Sequence, residues 1–102
     1  MALLSADAIL THPAVIGELA CGTLRDRKGI LESLAELPTA SCASDAEVMA
    51  LVERRGLYGR GIGWVDAQLL ASALLSECAL WTLDKALARV AADIGLACTA
   101  RP

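Results

Sequence analysis

Three acids sit in company that calls for more than a wet surface. Glu18 lies in Ile16-Gly17-Glu18-Leu19-Ala20, on the flank of an apolar helix face. Asp66 lies in Gly63-Trp64-Val65-Asp66-Ala67, in the first turn of a strongly apolar helix. Asp84 lies in Leu80-Trp81-Thr82-Leu83-Asp84-Lys85, just after a strand and at a helix start. Singly, two of them have a ready ordinary explanation. An Asp in a helix's first turn is favoured by ~0.3–1 kcal/mol through the helix dipole, and the Thr82 hydroxyl can cap the helix that Asp84 begins. Together they suggest chemistry. In a parallel sheet the C-terminal ends of the strands share one edge, where ligands bind, and Asp66 and Asp84 both fall at that edge. Two carboxylates ~5 Å apart repel by roughly 3 kcal/mol at an effective dielectric of about 20, and a divalent cation removes that repulsion. All-oxygen ligation suits Mg²⁺ or Mn²⁺ rather than zinc or copper. Such an ion would also let a chain of net charge −3 act on a phosphodiester, because the metal supplies the positive charge.

Other candidates carry less. The loop Gly59-Arg60-Gly61-Ile62-Gly63 has neither G-K-[ST] nor G-x-G-x-x-G spacing, and a helix precedes it, so it reads as a connector whose Arg60 can reach a phosphate. His12 is the single histidine. Followed by Pro13 and unaccompanied by a G-x-S-x-G elbow, it reads as a helix-start residue rather than a catalyst. Cys21, Cys42, Cys78 and Cys98 form no C-x-x-C pair, which argues against a zinc site and for small buried thiols in a reduced, cytoplasmic protein. With nine basic and twelve acidic residues, the chain is no polycation that grips nucleic acid by charge alone. The basic groups Arg25, Arg27 and Lys28, and Arg54 and Arg55, read mainly as solvated helix ends.

The elements that must position these residues follow from pattern. Ala and Leu make up 38 of 102 residues, Val and Ile only 10, and Phe is absent, so helices must dominate and any sheet must be small. One domain spans residues 1–102. Met1 to Asp7 reads as the tail of a helix or a frayed start. Ala8 to Thr11 reads as a strand, and a helix follows from Pro13 to Gly22. A second helix runs from Asp26 to Leu37, with Thr39 to Ala43 a short edge strand. Ser44-Asp45-Ala46-Glu47 is a capping box that opens a third helix, closed by Arg54-Arg55-Gly56. Trp64 to Ser76 is a helix apolar almost all round, hence central. Ala79 to Thr82 reads as a strand, Leu83 to Ile94 as an amphipathic helix, and Leu96 to Cys98 as a last strand. Short strands alternating with helices predict a parallel α/β sheet. The longest apolar stretch, Leu69 to Leu75, is far too short to span a bilayer.

Three ordered segments, Ile9 to Ala20, Leu57 to Ala67 and Leu80 to Lys85, resemble PIN-domain proteins, most closely the VapC-type ribonuclease toxins of bacterial toxin–antitoxin modules. The likeness covers about Ile9 to Cys98. It implies a three-layer sandwich with a short parallel sheet between helices. It also implies Mg²⁺- or Mn²⁺-dependent cleavage of RNA, a cognate antitoxin as partner, and a homodimer. By position, Glu18, Asp66 and Asp84 take the places of the family's second, third and fourth acids, and Thr82 that of the hydroxyl residue near the last. With Arg60 as a phosphate contact, these form the expected site. PIN domains begin with a strand that ends in an aspartate. No such strand is read here, and Asp7 does not match that acid in context. The expected domain is therefore incomplete at its N-terminus. The alternative function is a catalytically impaired PIN remnant that binds a protein partner or dimerises.

Overall fold

The computed structural model describes residues 2–5 and 9–98. Asp7 lies outside the described residues. Ala2–Leu4 form strand β1 and Ile9–Leu10 strand β2. Helix α1 spans Pro13–Cys21, with proline at the first position where its missing N–H costs nothing. Helix α2, Arg27–Ala35, follows Asp26, whose φ of 51° puts it in the left-handed region, which Asp tolerates better than most side chains.

Helix α3 spans Asp45–Arg55 and has both ends that its sequence asks for. The Ser44 hydroxyl accepts the Glu47 N–H at 3.1 Å, and the Glu47 carboxylate accepts the Ser44 N–H at 2.9 Å. Gly56 closes the helix at φ 62°, where a side chain would be strained. Ser44→Ala is expected to cost about 1 kcal/mol, read as a lower urea midpoint at unchanged slope. The hydrogen bonds from Ser44, backbone first, hold the Glu47 carboxyl below the usual carboxylate range. Their support is present at neutral pH and is lost as pH falls through that lowered value.

Helix α4, Trp64–Leu75, is the centre of the fold, with Ala67 and the run 69–73 all buried. Strand β3, Ala79–Trp81, follows it, and helix α5, Lys85–Asp93, packs on β3. Leu3, Leu57, Leu69, Leu70, Leu80, Leu87 and Val90 form the main core, each at most 2% exposed. A smaller cluster of Val48, Ala67 and Ala71 joins α3 to α4.

The sheet corrects the expected topology. Its order is β2-β1-β3 and both pairings are antiparallel, Leu3 facing Leu10 on one side and Leu80 on the other. Ala2–Leu4, expected to lie in a helix tail or a frayed start, is instead the central strand. The physical reason is the connection. Only residues 5–8 separate β1 from β2, and so short a link joins antiparallel neighbours, whereas a parallel pair needs a long crossover. Because β2 and β3 each run opposite to β1, they run in the same direction as one another. They do not pair with each other, because β1 lies between them. Among the described residues parallel pairing is confined to two isolated bridges, Thr11 with Thr39 and Leu80 with Ala97, which is all that forms of the two short strands expected at those places. Among the described residues no helix is long and apolar enough to cross a membrane.

Candidate active site

Glu18 stands exposed on α1 and lines an open groove of about 510 Å³ between α1 and α4. His12, Cys21, Cys42, Val65 and Gln68 line the same groove. Gly17 beside Glu18 faces open space. Asp66 follows Val65 on α4 and is half-buried. Its Oδ2 accepts the Gly63 N–H at 3.2 Å, tying down one of the free amides at the helix start.

Asp84 is the N-cap of α5 and exposed; its Oδ1 accepts the Leu87 N–H at 2.9 Å. Thr82 does not cap that helix. Its hydroxyl accepts the Asp84 N–H at 3.1 Å, which sets the turn that presents Asp84. Among the described residues no donor pairs with Asp66 Oδ1 or Asp84 Oδ2, so each aspartate keeps one oxygen for another partner. Arg60, in the glycine loop, pairs with the Asp93 carboxylate of α5, the two side chains 30% and 50% exposed.

The donor chemistry of Glu18, Asp66 and Asp84 is that of a hard divalent cation. Their placement is not that of a closed site. Among the described residues, no three His, Cys, Asp or Glu side chains are gathered closely enough to hold an ion. Two of the three acids serve as helix-start groups, the ordinary explanation each had on its own.

The PIN domain family matches residues 1–93. The chain belongs to the PIN-domain family. Ribonuclease VapC32 of Mycobacterium tuberculosis is 46% identical to it over 96 residues. That match takes in 93% of this chain and 77% of the ribonuclease, with the same figures for strains CDC 1551 / Oshkosh and ATCC 25618 / H37Rv. No solved structure gives a significant match.

The thiols of this PIN domain are less uniform than expected. All four are free, but only Cys78 is buried, and burial pushes its thiol pKa up. Cys21 and Cys42 are exposed and Cys98 is half-buried. His12 is the helix-start residue its proline neighbour predicts: its Nδ1 accepts the Ala14 N–H at 3.0 Å and caps α1. Sequence reasoning missed Ser72, which is wholly buried and bonded to His12. The signal was a lone hydroxyl in the run Leu69 to Leu75, since a polar group in a buried helix needs a partner.

Proposed function

We propose that this PIN domain is a VapC-type toxin nuclease that cleaves RNA with Mg²⁺ or Mn²⁺, and that Glu18, Asp66 and Asp84 are its catalytic acids. The observation that carries the reading is the 46% identity to a ribonuclease over 93% of the chain. Support comes from Glu18 opening into the groove between α1 and α4, and from the free oxygen that Asp66 and Asp84 each retain. The cation would supply the positive charge that phosphodiester hydrolysis needs, and Glu18, Asp66 and Asp84 would be the carboxylates that hold it. Thr82, beside Asp84, and Arg60, in the loop before α4, are the proposed RNA contacts. A cognate antitoxin and a second copy of the chain are the proposed partners. The test is cleavage of RNA by the purified chain with Mn²⁺, against an Asp66→Asn preparation.

A second reading is favoured by the lack of a three-donor cluster among the described residues: a PIN remnant that binds a protein partner or dimerises without cutting RNA. Equal, background-level cleavage by both preparations, with a dimer in light scattering, would establish that reading instead.

A further inference from the structure

Buried polar side chains are few among the described residues: Thr11, His12 and Ser72. Two of them bond to each other across 60 residues of sequence. His12 is 5% exposed and Ser72 is wholly buried. The ring of His12 is fixed on both sides. Nδ1 accepts the Ala14 N–H at 3.0 Å, so the neutral ring carries its proton on Nε2 and donates it to Ser72 Oγ at 2.9 Å. The same Ser72 oxygen accepts the Ala43 N–H at 3.4 Å. One hydroxyl on α4 therefore ties down the start of α1 and the segment leading to α3, the three walls of the groove that Glu18 lines.

We propose that His12 and Ser72 form a protonation-sensitive strut that holds the Glu18-bearing helix against the Asp66-bearing helix, with His12 as a positioning residue for the site. The inference rests on reading the Glu18 groove as the working groove. The chemistry is specific to a neutral imidazole. A proton added at Nδ1 would turn an acceptor into a donor facing the Ala14 N–H. The cap would be lost and α1 freed at its N-terminus. Burial already pulls the His12 pKa below its ordinary value. The strut therefore persists at neutral pH, and its support falls away as pH drops below the usual imidazole range. The titratable groups that share the groove are Glu18 and Cys21 on α1 and Cys42 on the neighbouring segment, while α4 contributes the uncharged Gln68.

The test is amide hydrogen exchange by NMR from about pH 8 to about pH 5, corrected for intrinsic rates, on the wild-type chain, Ser72→Ala and His12→Asn. His12 is the only histidine, so its ring signals are unambiguous and should report the Nε2–H tautomer. In the wild-type chain, protection of α1 should fall as His12 titrates while α5 stays protected. Ser72→Ala should lower α1 protection about fivefold to tenfold at neutral pH and above, the size of one lost buried hydrogen bond, with the difference from wild type shrinking once His12 has titrated. His12→Asn keeps a capping oxygen but cannot titrate, so the pH step should vanish. Flat α1 protection in the wild-type chain, or equal loosening of α1 and α5 in Ser72→Ala, would overturn the strut. RNA cleavage by the same samples separates this inference from the functional reading. Full cleavage by Ser72→Ala with α1 loosened overturns the positioning role alone. A wild-type chain that cuts nothing while α1 responds as described supports the strut and overturns the nuclease reading.

Discussion

Asp66→Asn is expected to lower Mn²⁺-supported RNA cleavage about 100-fold or more while leaving the fold in place. The two effects separate because Asp66 has two tasks. One oxygen accepts the Gly63 N–H at the start of α4, and an asparagine oxygen can do the same. Only the negative charge near the helix N-terminus is lost, a change of ~0.3–1 kcal/mol. The other oxygen has no donor among the described residues and is the proposed cation ligand. An amide there has no charge to give a metal and cannot serve as its ligand in the same way. Far-ultraviolet circular dichroism and the urea midpoint should be close to wild type. A variant that cuts RNA as fast as the parent would remove Asp66 from the catalytic set.

Leu70→Ala is expected to have the largest effect on stability. Leu70 is 0% exposed on the central helix α4, within the cluster that includes Leu3, Leu80 and Leu87. It therefore touches the cluster through which both β1 and β3 are held. A Leu→Ala change at such a site costs about 2–5 kcal/mol, against a total stability of about 5–15 kcal/mol for a domain of this kind. The unfolding midpoint should drop by roughly 10–30 °C. Leu75→Ala, on the same helix but 49% exposed, is the comparison. Its cost should be well under half as large. Equal costs would mean that α4 is not the buried centre of the fold.

What the sequence disclosed and what it withheld divide along one physical line. Elements set by local chemistry were legible: the Ser44 capping box, Gly56 after Arg55, Pro13 at a helix start, and the all-apolar α4 all appear where their residues place them. Strand β1 was not legible. Ala2-Leu3-Leu4 is too short to show a period of two, and Ala and Leu favour a helix when nothing else decides. Only the tertiary setting, with β2 and β3 on either side, makes it a strand. The direction of the sheet was lost with it, because the parallel expectation rested on short strands alternating with helices and took no account of a strand at Ala2–Leu4. In the candidate site, Glu18 and the helix-start roles of Asp66 and Asp84 follow from local pattern. The His12–Ser72 bond spans 60 residues, and no local pattern encodes such a distance. Thr82 was legible as a hydroxyl near Asp84, but which of them caps α5 depended on backbone geometry.

Asp66 and Asp84 are proposed to belong to one cation-binding site. Calorimetry of Mn²⁺ binding, on the wild-type chain and on the Asp66→Asn/Asp84→Asn double variant, tests it most directly. The wild-type chain should bind Mn²⁺, and the double variant, still folded by circular dichroism, should not. Absence of binding in the wild-type chain, or equal binding in both, would contradict it and leave the two aspartates as helix-start residues and nothing more.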